Sequence, residues 1–330
     1  MASLQLTSAS EPLPFKIVFM GTPQLAARIL QFLLTAPPEL CRVIAVVTRP
    51  DQPRGRGLTL ASSEVGSLAE ARGIPVLKPA KIRASDFVGQ LTSFAPDLLV
   101  VAAYGRILPN DVLGAAKLMP MNVHMSLLPK FRGASPVEGA ILAGETETGI
   151  TIMRVTEPMD AGPILLQRKV PAGDIDTQGS LKAKLAELGG AALLEALNLL
   201  RRGELSETAQ NDDLATYTSP ITKENAVIDW QSNAARIERM VRAYDPWPVA
   251  RTRLGSDELL IWRAHVLPIR EPESATAPAG TLLKLSPGPI VKCGEGLLEL
   301  LELQASGRRR MAATDFFRGR RIVEGERLGG

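Results

Sequence analysis

Residues 97–103 read DLLVVAA, and the class of fold follows from this run. Every position after Asp97 is apolar, with no polar alternation. A strand of that kind is covered on both faces, as in parallel sheets between helical layers. The same texture recurs on either side. Residues 16–20, KIVFM, close at Gly21-Thr22-Pro23, and a helical pattern follows through Leu25, Ile29, Leu30 and Leu33. Residues 43–48, VIAVVT, form a second buried run, ended by Arg49-Pro50-Asp51. A helix over 62–73, a short strand over 74–77 and a helix over 84–94 lead into the central run. Strands alternating with helices predict an α/β fold, with a Rossmann-like parallel sheet and helices on both faces.

Beyond the central run, residues 121–126, MNVHMS, read as the next strand. Two more strands, 149–155 and 164–170, are joined by 156–162, TEPMDAG. Leu181, Leu185, Leu188, Leu193 and Leu197 mark a long amphipathic helix that fades at Arg202-Gly203. After Pro220 the strands are short, and turns rich in Pro, Gly, Asp and Ser recur. Helical periodicity returns only over 234–242. That texture suits a small β-barrel or sandwich. At 330 residues the chain exceeds one ordinary core. The predicted organisation is a flexible leader (1–14), a catalytic domain (15–203), a linker (204–220) and a smaller C-terminal β-barrel domain (221–330).

The net charge is only +3, and the basic surplus falls beyond Pro220. It clusters at Arg308, Arg309 and Arg310 and again at Arg318, Arg320 and Arg321. Arg49, Arg54 and Arg56 form a second cluster, offset by Asp51. Two arginine clusters are compatible with a polyanionic partner. The two cysteines, Cys41 and Cys293, lie far apart without CxxC or paired-His spacing, so no metal site is expected. The first fourteen residues hold no Lys, no Arg and no long apolar run, which argues against a secretory signal. No stretch reaches the roughly 18 apolar residues of a membrane span. A cytoplasmic location without a membrane partner is the expectation.

His124 is one of two histidines in the chain. If MNVHMS is extended, alternation puts Asn122, His124 and Ser126 on one face. An amide, an imidazole and a hydroxyl together can stabilise an oxyanion and move a proton, the needs of acyl transfer. A lone histidine on an apolar strand is often a hydrogen-bonded core residue, so the triplet alone leaves both readings open. No glycine fingerprint follows the first strand, and no GxxxxGK[ST] loop occurs. The GxSxG elbow of serine hydrolases is also missing.

Further residues complete a pattern. Asn122, His124, the Ser126-Leu127-Leu128-Pro129 run, Arg132-Gly133 with Pro136, and Asp160 within 158–162, PMDAG, together resemble the folate-dependent formyltransferase family. The resemblance implies that Asn122, His124 and Asp160 are catalytic. It implies that Ser126, Leu127, Leu128 and Pro129 line the pocket for 10-formyltetrahydrofolate, with no metal. It extends through 17–23, IVFMGTP, 48–57, TRPDQPRGRG, 217–230, YTSPITKENAVIDW, 245–248, DPWP, 300–304, LLELQ, and 316–320, FFRGR. These segments are similar to the branch that formylates the α-amino group of initiator methionyl-tRNA for translation initiation. That branch implies an OB-like C-terminal barrel and a monomeric chain. Arg49, Arg54 and Arg56 in the basic loop and Arg308, Arg309 and Arg310 in the barrel would then contact tRNA.

The chain departs from the family pattern in places. Met125 stands where glycine is usual, Ser135 where alanine is commoner, and Leu58 and Thr59 where the basic loop often carries two lysines. Two other readings remain. One is a different formyl-folate enzyme, a hydrolase or a small-amine formyltransferase, against which the basic C-terminal domain argues. The other is a non-catalytic RNA-binding protein on this scaffold, against which the intact Asn122, His124 and Asp160 argue.

Overall fold

The apolar runs assemble into a seven-stranded sheet in the computed structural model, whose described residues are 13–54, 59–268, 277–284, 288–320 and 323–329. Most of the expected leader, together with Arg56 and Arg321, lies outside them, as does the side chain of Arg54. In chain order the strands are β1 (Phe15–Gly21), β2 (Cys41–Val47), β3 (Val76–Leu77), β4 (Leu98–Ala102), β5 (Met119–His124), β6 (Glu147–Arg154) and β7 (Ile164–Pro171). Their spatial order is β7-β6-β5-β4-β1-β2-β3. From β3 to β5 the neighbours run parallel, and β6 runs antiparallel to β5. An antiparallel strand toward the edge of a mostly parallel sheet is common. Strand order reverses between β1 and β4, a switch point at which open α/β sheets leave a crevice beyond the strands' carboxyl ends.

Helices cover both faces. On one, Val18, Met20, Ala45, Val47, Leu99 and Val101 pack against Phe87 and Leu91 of the helix Ser85–Ser93 and against Val112 and Leu113 of the helix Asn110–Leu113. The alternate residues Ile17, Phe19, Leu98 and Val100 are fully buried on the other face. Burying one such side chain stabilises by about 1.5–3 kcal/mol. The helices Gln24–Thr35 and Gln178–Arg201 meet through Gly189 and Gly190. A Cβ on Gly190 would stand 2.2 Å from the Phe32 ring, and one on Gly189 would stand 3.0 Å from Val123. Glycine inside a helix costs up to about 1 kcal/mol against alanine. Here it lets the long helix lie directly on β5.

A second sheet is antiparallel and begins after Pro220. Its strands are β8 (Ala250–Leu254), β9 (Asp257–Leu267), β10 (Leu282–Lys284), β11 (Ile290–Lys292) and β12 (Leu297–Ala305), in the order β8-β9-β12-β11-β10. A short β13 (Met311–Ala312) also pairs with β12. The sheet curls around Leu259, Ile261, Leu282, Val291, Leu298 and Leu303. Ile237 and Val241 of the helix Ala234–Ala243 and Phe316 and Phe317 of the helix Ala313–Arg320 fill the same core. Near the C-terminus the backbone bonds to both edges: Leu328 N–H donates to the Gly280 carbonyl and Gly329 N–H to the Arg253 carbonyl, each at 2.8 Å. Tying the edges together leaves fewer strand groups unpaired. The expected barrel of OB-like type thus takes the form of a curled sheet whose edges share one terminal segment.

By contact density the described residues fall into two compact units. One holds those up to Lys130, with Gly149–Arg168 and Leu185–Ala215. The other holds Phe131–Thr148, Lys169–Lys184 and those from Thr216 onward.

Candidate active site

β5 ends at His124, at the carboxyl edge of the parallel strands. Asn122 and His124 share a face because they stand two residues apart. His124 is 5% exposed. Its Nδ1 lies 3.7 Å from Oδ1 of Asp160. The Asn122 amide nitrogen lies 3.5 Å from the same oxygen, donating toward it. Three residues that the sequence separates by up to 38 positions therefore converge on one carboxylate oxygen. Asp160 sits in the turn between β6 and β7, at a φ of +53°. Left-handed backbone is uncommon outside glycine, and aspartate is among the residues that tolerate it best. Gly162, two residues on, has no room for a side chain: a Cβ there would lie 2.0 Å from the Arg154 carbonyl oxygen.

Ser126 does not continue the face of Asn122 and His124. The strand has already ended, and the Ser126 hydroxyl donates to the Lys130 carbonyl at 2.6 Å. It closes the turn made by Leu127, Leu128 and Pro129. Two residues that sequence reading missed hold this turn. Thr151, fully buried on β6, donates to the Ser126 carbonyl at 2.7 Å and accepts from Leu128 N–H at 3.1 Å. Gln167 on β7 donates to the Leu128 carbonyl and to the Thr151 hydroxyl, both at 2.9 Å. Neither had a sequence signal, since each is one of several polar residues in its strand and nothing in periodicity or charge singles it out. Leu128 and Met125 are buried, and Leu127 and Pro129 are half-buried.

The arginines divide. Arg49 is exposed, and its guanidinium donates to the Gly105 carbonyl, latching the segment that follows β4. Arg310 pairs with Glu302 and stacks over the Trp262 ring at 4.8 Å. Arg308 and Arg309 are exposed beside it. Burial tends to raise the Glu302 carboxyl, but hydrogen bonds from Arg263 and Arg310 outweigh it and hold the group below the usual range. Among the described residues no group of three His, Cys, Asp or Glu side chains could hold a metal ion. Among the same residues no helix is long and apolar enough to cross a membrane.

A mostly parallel sheet whose carboxyl edge gathers an amide, an imidazole and a carboxylate, followed by a curled antiparallel sheet, defines a class. The chain belongs to the formyl transferase family: the Formyl transferase profile matches residues 15–197, and the profile of its C-terminal domain matches 220–321. More particularly, it is similar to the methionyl-tRNA formyltransferase of Methylococcus capsulatus, at 43% identity over 95% of this chain and 99% of that one. It is 45% identical to the methionyl-tRNA formyltransferase of Aromatoleum aromaticum, over 96% of this chain and 97% of the other. Among solved structures, HypX from Aquifex aeolicus in complex with tetrahydrofolic acid shares the fold. That match has a TM-score of 0.58 at 19% identity, over 92% of this chain and 47% of that one.

Proposed function

We infer that this chain transfers the formyl group of 10-formyltetrahydrofolate to the α-amino group of methionyl-tRNA. The observation that carries the reading is identity above 40% to methionyl-tRNA formyltransferases along nearly the full length of both chains. The Asn122, His124 and Asp160 cluster gives it a chemistry. The chain matches both the formyl transferase profile and the profile of its C-terminal domain, so the hydrolase and the RNA-binding readings are not favoured.

In the reaction the neutral amine attacks the formyl carbon, and the bond from that carbon to the folate N10 breaks. Charge builds on the formyl oxygen, one proton leaves the amine and one reaches N10. Asn122 donates an amide hydrogen to the developing oxyanion without titrating. His124 is the group that moves a proton, and Asp160 orients the imidazole and stabilises its charged form. The turn from Ser126 to Pro129, held by Thr151 and Gln167, offers backbone and apolar surface to the folate. Arg49, Arg54, Arg56, Arg308, Arg309 and Arg310 supply phosphate contacts to tRNA. The initiator species is the substrate, the enzyme acts as a monomer in the cytoplasm, and residues 15–203 and 221–330 are its two domains, joined by the linker 204–220. Following labelled formyl from 10-formyltetrahydrofolate into methionyl-tRNA tests the function. Incorporation into glycinamide ribonucleotide instead, or into water as formate alone, would overturn it.

A further inference from the structure

We propose that Gln210 is a positioning residue for Asp160, so that the polar connector between the two matched segments is part of the catalytic machinery. This deepens the formyl-transfer reading and rests on it. The half-buried Gln210 side chain donates from its one amide nitrogen to two carbonyls, that of Asp160 at 2.8 Å and that of Gly162 at 2.7 Å. Both amide hydrogens are thereby used. The two carbonyls belong to the turn that places the carboxylate, at the point where the Asp160 backbone is left-handed.

The connector itself is anchored. Ile164 and Thr208 exchange backbone hydrogen bonds at 2.8 and 2.9 Å, and Arg154 lies 3.3 Å from Glu207. The Asp160 turn is thus pinned on one side by the close approach of Gly162 to Arg154 and on the other by Gln210. Without Gln210 the two carbonyls lose a shared donor and the turn is freer to leave its left-handed geometry. The carboxylate and the imidazole stand 3.7 Å apart, so any shift of the turn changes their interaction directly. Misplacement of about 1 Å can cost up to about a hundredfold in rate.

The test compares Gln210→Leu, Gln210→Glu, Asp160→Asn and the double variant Gln210→Leu/Asp160→Asn in steady-state formylation of methionyl-tRNA by the full chain. Gln210→Leu is expected to lower kcat at least tenfold, with KM for both substrates within about twofold, in line with the cost of a misplaced catalytic group. It should also displace the pH profile of kcat in the same direction as Asp160→Asn does. Gln210→Glu, of the same shape but without the donors, should reproduce the loss and covers the case in which the leucine variant does not fold. On Asp160→Asn the second change should cost less than about twofold, because the two act through one group. An unchanged kcat and pH profile, or a loss as large without Asp160 as with it, overturns the role of Gln210 alone. Absence of formylation by the unaltered chain overturns the reading on which the role depends.

Discussion

Oδ1 of Asp160 stands 3.7 Å from Nδ1 of His124 and 3.5 Å from the Asn122 amide nitrogen, so one carboxylate oxygen serves two strand residues. Removing its charge while keeping its shape isolates that service. Asp160→Asn is expected to lower kcat by about two orders of magnitude, the size of a general acid–base contribution, with a small change in KM. Steady-state rates at saturating substrate check it, and an unchanged kcat would remove Asp160 from the chemistry.

Thr151 and Gln167 form a clasp on the Ser126 to Pro129 turn. Thr151→Val keeps the volume and deletes the hydroxyl, leaving the Leu128 N–H without its acceptor. A stability loss of about 1–3 kcal/mol is expected in urea unfolding. KM for 10-formyltetrahydrofolate should rise more than kcat falls, because the turn is assigned to binding. A variant with unaltered folate KM would detach this turn from the cofactor.

The three arginines at 308–310 should not be equivalent. All three are exposed, but Arg310 is held by Glu302 and Trp262. Replacing Arg308 and Arg309 by alanine should flatten the salt dependence of tRNA binding. Each lost phosphate contact lowers the slope by roughly 0.7–0.9. Arg310→Ala should change the slope less, and equal slopes for all three single variants would refute the distinction.

Asp176 gives a pH prediction. Burial pushes its carboxyl up, but Lys184, the Gly173 N–H and the Ser180 hydroxyl outweigh this and hold it below the usual range. A folded-state value below the unfolded one adds stability above the unfolded value, near 3.9, and loses it as pH falls through the folded value. Asp176→Asn should therefore lower the melting temperature at pH 7, with the gap to the unaltered chain closing as pH falls below the usual aspartate range and through the folded value. A gap that stays constant with pH would assign the loss to packing.

Both thiols are buried, and burial pushes Cys41 up to about 11 and Cys293 up to about 12. Only thiolate reacts. Iodoacetamide at pH 8 is expected to leave the folded chain unlabelled and active, and to label both positions in urea. Mass spectrometry reads the outcome, and rapid native labelling of either thiol would contradict it.

Local pattern determined a great deal here. Short apolar runs such as 97–103, alternating with helical patterns and several of them ended by glycine or proline, read as strands covered on both faces, so the α/β class and the strand sequence were legible. The shared face of Asn122 and His124 followed from the two-residue period of a strand. The same period misplaced Ser126, because where a strand ends depends on the hydrogen bonds of its neighbours, and β5 stops at His124. Which distant groups meet is set by the packing of the folded chain. Whether the Asp160 carboxylate reaches the imidazole depends on the turn that Gly162 and Gln210 hold. Thr151, Gln167 and Gln210 left no trace in periodicity or charge, since each acts on backbone carbonyls or amides that every residue carries alike. A hydrogen bond to a carbonyl is a fact of position rather than of residue type, and position comes only with the packed chain.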